Sequence, residues 1–267
     1  MKIITTHPNA DLDSFGGIVA LNILHPKSFV FFPGAQEMAL KNLLSLNIIK
    51  IKETTLKEIE KNEIEKIFVV DVEDLERLGN LYKIIISKKI PLEIYDHHPD
   101  EKNYPHWAKV YRKNYGSVST LLTNILIEKG KEITPLQASI ILLGIYEDTG
   151  SFHFQETTEE DFKAASYLLS KGANINLVHR FLIQELTPDH LNIFEQFYNS
   201  KEDIKIKNFT ITFAYANLPF FVEDVAFVIH KFIDMLGTKI FFGFIEQEGK
   251  IYIIGRSRDE RVNLSFY

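Results

Sequence analysis

Along the first two thirds of the chain, short apolar runs alternate with longer stretches of helical spacing. Residues 2–6 (KIITT), 29–33 (FVFFP), 66–72 (KIFVVDV) and 91–98 (PLEIYDHH) are β-type runs. KIFVVDV carries almost no polar residue, which predicts a strand covered on both faces. Helical spacing recurs over 15–24, 75–88, 117–129, 158–171 and 174–186, with Gly130 as a C-cap. Pro135 opens a further helix whose apolar run ends at Asp148. The stretch from Lys50 to Lys66 is charged and loosely helical. Strands alternating with helices predict an α/β fold, a mainly parallel sheet with helices on both faces. The polar residues at the strand ends then gather at the carboxyl edge, where ligands bind in such sheets.

The pattern changes near residue 188. A helical segment (188–200) gives way to a polar stretch, SKEDIKIKN, and then to β-type segments at 209–216, 239–247 and 250–258. A helix at 221–236 separates the first two. The reading is a main domain over 1–187, a helical linker over 188–204 and a smaller α/β domain with antiparallel strands over 205–267.

Length and composition fit this division: 267 residues, 45% hydrophobic and 25% charged, are ordinary for a soluble chain of one large or two unequal domains. There is no cysteine, which excludes disulfides and thiolate chemistry. Any metal must be held by His and carboxylates, favouring Mn, Mg, Fe or Zn. The N-terminus lacks the apolar core of a signal peptide and no stretch reaches membrane-spanning length, so the expectation is a cytoplasmic protein without a membrane partner. A net charge of -6 argues against a broad nucleic-acid-binding surface.

Four polar motifs follow apolar runs. The first is His7-Pro8-Asn9-Ala10-Asp11-Leu12-Asp13, three donor side chains on one turn between a strand and a helix. That set suits a divalent cation, although Asp13 alone would serve equally as a helix N-cap. The second is Asp71, a carboxylate ending a buried strand, which needs a partner or a metal unless it only forms a turn. The third is Asp96-His97-His98-Pro99. One imidazole can ligate a metal while its neighbour serves a phosphate or leaving group, with Asp96 orienting a ring; two loop histidines at the surface are the alternative. The fourth is Gly144-Ile145-Tyr146-Glu147-Asp148-Thr149-Gly150-Ser151-Phe152, an acidic pair ending an apolar helix against its dipole, or an ordinary loop start marked by Gly150. Six ligands, His7, Asp11, Asp13, Asp71, His97 and Asp148, are enough for two ions. Trp107, Tyr111, Arg112 and Tyr115 offer base stacking or core packing, and Ser117 and Ser119 offer a helix N-terminus for an anion or a simple cap. His153 offers a reach into the cleft or, the favoured reading, a surface loop residue, and His179, His190 and His230 are read as structural.

In this order the four motifs resemble the DHH family of phosphoesterases, and the later segment ending Gly255-Arg256-Ser257-Arg258 resembles the DHHA1 domain that faces the DHH domain across a cleft. The wording THPNADLDSFGG looks closest to the DHH module of CBS-domain tRNA nucleotidyltransferase/poly(A) polymerase-like proteins. The resemblance implies manganese-dependent hydrolysis of phosphodiester bonds in short oligonucleotides or cyclic dinucleotides, with a hydroxide bridging two Mn²⁺ ions and Mg²⁺ as the alternative ion. It implies His7, Asp11 and Asp71 on one ion and Asp13, Asp71, His97 and Asp148 on the other. His98 would meet the scissile phosphate as a catalytic and binding residue beside Asp71, and Arg256, Ser257 and Arg258 would bind substrate. Inorganic pyrophosphatase or exopolyphosphatase activity is the alternative within the family, and binding of nucleotide or tRNA as part of a longer protein is the alternative outside catalysis. The family's glycine-rich phosphate loop is not met before Tyr267, so the second domain reads as truncated. Self-association is left open.

Overall fold

Four of the five strands of the main sheet are the apolar runs of the sequence. In the computed structural model they are β1 (Lys2–Thr5), β2 (Phe29–Phe31), β3 (Lys66–Val70) and β4 (Leu92–Asp96). The fifth, β5 (Lys109–Arg112), is short and half cationic, and carries no apolar signal to read. The structure describes residues 1–99, 103–182, 186–222, 224–259, 261–262 and 264. They fall into two units, Met1–Gln184 and Glu185–Tyr267.

In the first unit all strands run parallel, in the order β2-β1-β3-β4-β5. The helices α1 (Leu12–Leu24), α2 (Met38–Ser45), α3 (Leu56–Lys61) and α4 (Asn80–Lys88) lie between strands, and α5 (Val118–Glu128), α6 (Pro135–Asp148), α7 (Glu159–Ser170) and α8 (Ile175–Leu182) follow β5. Both faces of the sheet are buried. Ile4, Phe68 and Val70 join one core with α1, α5 and α6, while Ile3, Ile67 and Val69 join a second core with α3 and α4. Each such side chain contributes about 1.5–3 kcal/mol by leaving water. Strand order reverses between β1 and β3, and ligands bind doubly wound sheets in the crevice outside that switch point.

Several elements differ from the sequence reading. The helix expected over 75–88 is broken at Gly79, whose φ of 59° ends a 3-10 turn at Leu75–Leu78 before α4 begins. Only Leu56–Lys61 of the charged 50–66 stretch is helical, where Thr55 and Glu58 form a capping box. α2 is eight residues long, too short to show periodicity. α8 ends at Leu182, and 183–185 lie outside the described residues.

The second unit comprises α9 (Pro188–Ser200), β6 (Glu202–Ile206), β7 (Phe209–Leu218), α10 (Val225–Leu236), β8 (Ile240–Gln247) and β9 (Lys250–Ser257). Its sheet runs β6-β7-β8-β9. β7 and β8 are parallel, correcting the antiparallel expectation, because α10 makes the crossover that returns the chain in the same direction. The outer pairs are antiparallel. Nor is 188–204 a linker: α9 buries Ile193 and Phe197 in this unit's core, and the polar stretch after it forms β6. The terminal run to Tyr267 lies largely outside the described residues. No helix among the described residues is long and apolar enough to cross a membrane.

α1 and α6 meet backbone to backbone through glycines. A Cβ on Gly144 would lie 2.8 Å from the Cα of Asp13. Gly144→Ala is expected to destabilise the fold by about 1–3 kcal/mol, the usual cost of overpacking. Urea denaturation followed by circular dichroism checks this.

Candidate metal centre

The chain leaves β1 at Thr5 and turns through His7, Pro8 and Asn9, whose φ is 60°. Ala10 then pairs with the segment after β2: its N–H donates to the Ala35 carbonyl (3.2 Å) and its carbonyl accepts from the Glu37 N–H (2.8 Å). Asp11 is the N-cap of α1, with the Ser14 N–H donating to its Oδ1 at 2.9 Å. The cap is therefore Asp11 rather than Asp13. Asp13 lies inside the first turn, fully buried, and both its oxygens accept backbone N–H groups of α5, from Val118 (2.7 Å) and Ser119 (3.0 Å). The anion at that helix N-terminus is thus Asp13 itself. Ser117 caps the same helix.

Asp71 follows β3 with φ of 60°, a conformation that costs a non-glycine residue energy and persists only where its surroundings impose it. Its N–H still donates to the Tyr95 carbonyl (2.9 Å), so the ladder holds the backbone while the side chain turns into the switch-point crevice. Asp96 ends β4, fully buried, and His97 and His98 follow.

These residues converge. His7, Asp11 and Asp71 form one group whose ligand atoms lie within 4.8 Å of one another. Asp13, His97 and Asp148 form another, and Asp71, His97 and His98 a third. His7 Nε2 stands 3.5 Å from Asp11 Oδ2 and 3.4 Å from Asp71 Oδ2, and His97 Nε2 stands 3.0 Å from Asp148 Oδ2 and 3.5 Å from Asp71 Oδ1. All of them except Asp13 line one cavity of about 290 Å³, together with Asn9, Glu37, Arg77 and His98.

Three observations fit this donor set to a divalent cation. The Nδ1 of His7 donates to the Pro8 carbonyl (2.8 Å) and that of His97 to the Tyr115 carbonyl (3.0 Å). Each ring thereby turns Nε2 toward the carboxylates of the cavity, the nitrogen that would ligate a cation once its proton is lost. Oδ1 of Asp71 is buried and accepts no hydrogen bond from the described residues, a costly state for a carboxylate that a cation would relieve. The donors are all oxygen and nitrogen, suited to hard or borderline ions.

The charges hold one another through protons. Burial pulls His7 down, but Asp11 and Asp71 beside it win and push it up to about 10. His97 is likewise opposed by burial, yet Asp148 and Asp71 push it up to about 12. Burial raises Asp71, but His7 and His97 hold it well below the usual carboxylate range. Asp13 and Asp148 are raised, chiefly by burial. His98 is raised by Asp96, whose Oδ1 takes its Nδ1–H at 2.8 Å. Tyr104 donates to the other Asp96 oxygen (3.1 Å), fixing the carboxylate that fixes the ring.

Glu147 has a role its position did not reveal. Its Oε2 accepts the N–H groups of Leu12 (2.7 Å) and Asp13 (3.0 Å), capping α1 from another helix. Burial, with Asp11 adding, pushes its carboxyl up to about 8. Glu37 and Arg77 also reach the cavity, from segments with no motif to mark them. Other candidates take structural places. Trp107 donates to the Ile90 carbonyl and Tyr111 stacks on Tyr95. Tyr115 packs on the core, and Arg112 donates to the Pro99 carbonyl. His153 is exposed, and His190 accepts the Thr187 N–H in a cap. In the second unit Arg256 and Ser257 end β9, and Arg258 follows, paired with Asp234.

A family model described as "DHH family, N-terminal domain" matches residues 2–145. An A-adding tRNA nucleotidyltransferase of Geobacter sulfurreducens is 34% identical over 98% of this chain and 30% of its own length. The chain thus spans about a third of that relative. A bifunctional oligoribonuclease and PAP phosphatase, NrnA of Bacillus subtilis, is 28% identical over 62% of this chain and 52% of its own length. Among solved structures, an exopolyphosphatase-related protein from Bacteroides fragilis superposes with a TM-score of 0.75 at 18% identity, covering 97% of this chain and 79% of that one. That likeness bears on the fold alone.

Glu147→Ala should leave two N–H groups of α1 unpaired and cost about 1–2 kcal/mol, the usual loss for an N-cap. Glu147→Gln, which keeps an acceptor oxygen, should recover most of it. Thermal unfolding of the three proteins measures the difference.

Proposed function

The chain belongs to the DHH family, and from that premise we propose that it is a manganese-dependent phosphoesterase acting on phosphodiester bonds of short oligonucleotides or cyclic dinucleotides. The observation that carries this reading is the pairing of ligand groups around one buried carboxylate. His7, Asp11 and Asp71 would hold one ion, and Asp13, Asp71, His97 and Asp148 a second, with Asp71 shared. When bound, two such ions supply a water of lowered pKa and a clamp on the attacking and leaving oxygens.

The chain's own side chains do the remainder. His98 keeps Nδ1–H on Asp96 and turns Nε2 outward, where its raised affinity for a proton suits it to protonate a leaving oxygen or to hold a phosphate oxygen. Asp71 is the shared ligand and the neighbour of both imidazoles. Arg256, Ser257 and Arg258 are assigned to the rest of the substrate on the strength of the family pattern.

A second reading has its own support. The whole chain aligns with a third of a tRNA nucleotidyltransferase, so this unit would serve a longer enzyme by binding nucleotide or tRNA. Incubation with Mn²⁺ and short RNA, cyclic dinucleotides, polyphosphate or pyrophosphate separates the readings. Turnover of the first two supports the proposal. Turnover of the last two alone points to a pyrophosphatase or exopolyphosphatase. Tight tRNA binding without turnover of any favours the binding module.

Asp71→Asn is expected to lower manganese-dependent cleavage by about a hundredfold or more, because both ions lose charge from one ligand. Retained cleavage would sink the shared assignment. Manganese affinity should also rise with pH. His7 and His97, raised to about 10 and about 12, carry protons at neutral pH and must shed them to ligate. Titration calorimetry in buffers of different ionisation enthalpy should therefore register proton release, and none would contradict the ligand set.

A further inference from the structure

The cavity is lined by Asp11, Glu37, Asp71 and Asp148, and it also receives one permanent cation among the described residues, Arg77. Its guanidinium makes no hydrogen bond or ion pair with them, although four carboxylates line the same space. A guanidinium beside carboxylates ordinarily forks onto one of them. Its backbone, by contrast, is pinned. Leu75 and Leu78 on either side are buried, and Asp74 Oδ1 accepts from the Glu76 N–H (3.0 Å) and the Asn103 amide (2.9 Å). Gly79, at φ 59°, closes the turn. A fixed turn six residues beyond Asp71 thus delivers an unpaired, exposed cation to the rim of the ligand cluster.

We propose that Arg77 is a phosphate-binding residue, taking two non-bridging oxygens of the phosphoryl group presented to His98 and the ligand cluster. This rests on the phosphoesterase reading and names the group within it that recognises the substrate's charge. A planar fork matches two oxygens of a tetrahedral phosphate, which a lysine ammonium meets only as a point charge. The ligand carboxylates repel such an anion, and their charge is offset when they hold cations. Arg77 adds an attraction that no ligand supplies. The same contact serves a phosphodiester, a terminal phosphate and free inorganic phosphate.

The test uses inorganic phosphate as the probe, titrated by calorimetry into the manganese-loaded full chain, wild type against Arg77→Ala and Arg77→Lys. Manganese affinity should agree within about twofold across the three, since Arg77 is no ligand. Phosphate affinity should fall about tenfold in Arg77→Ala, with Arg77→Lys between, and KM for an oligonucleotide should rise in parallel while kcat changes less. Equal phosphate affinity in wild type and Arg77→Ala, or no phosphate binding by wild type, overturns the assignment. Arg77 is exposed, so both variants should fold, with unfolding temperatures matching wild type. Wild type that binds phosphate through Arg77 but cleaves no phosphodiester would sink the phosphoesterase reading and leave this subsite standing. Cleavage with an unchanged KM in Arg77→Ala would sink the subsite alone.

Discussion

Asp71 carries a buried carboxylate on a backbone with φ of 60°, and imidazoles approach both its oxygens. A charge in that position is tolerable only with partners on every side. His7 arrives from the end of β1, and His97 from the end of β4. Each has its far nitrogen committed to a carbonyl, so neither ring can swing away without losing a hydrogen bond. The rest of the centre follows from this clasp. Asp11 reaches His7, Asp148 reaches His97, and Asp13 lies behind them among the α5 amides.

The parallel sheet makes the clasp possible. β3 lies between β1 and β4, so the three strand ends deliver donors to one edge. The helices then serve as fixed anchors. α1 begins with Asp11 as its own cap and Glu147 as a cap from α6, whose side-chain carboxyl ties the first and fourth motifs together by accepting two backbone N–H groups of α1. Glycine at 144 lets those helices approach closely enough for it. Packing at Gly144, capping by Glu147 and the placement of Asp11 and Asp13 thus meet at the start of α1.

The second unit is organised differently. Its sheet is covered on one face by α9 and α10, through Ala214, Ala216, Phe241 and Ile245. The opposite face carries a stacked pair, Phe213 and Phe242, and exposed Ile251 and Ile253. Arg256 and Arg258 stand at the end of its edge strand, where one of the two is already paired with Asp234.

Much of this was legible without coordinates. Four strands of the main sheet announce themselves because burial on both faces demands unbroken apolar runs, and the candidate ligands His7, Asp71 and His97 stand out because they follow those runs directly. What local pattern could not decide was everything that depends on residues distant in the chain. β5 and β6 are strands only because a neighbouring edge pairs with them, and β7 runs parallel to β8 only because α10 intervenes. Asp13 looked like a cap and is a buried acceptor, since the amides it satisfies lie more than a hundred residues away in α5. Glu147, Glu37 and Arg77 reach the cavity by tertiary position alone. The sequence by itself determined the α/β class and marked the six candidate donors, because hydrophobic burial and strand-end chemistry are local. Only the tertiary structure decided which of them meet around Asp71 and which charge stays unpaired among the described residues, because those are properties of distance in space.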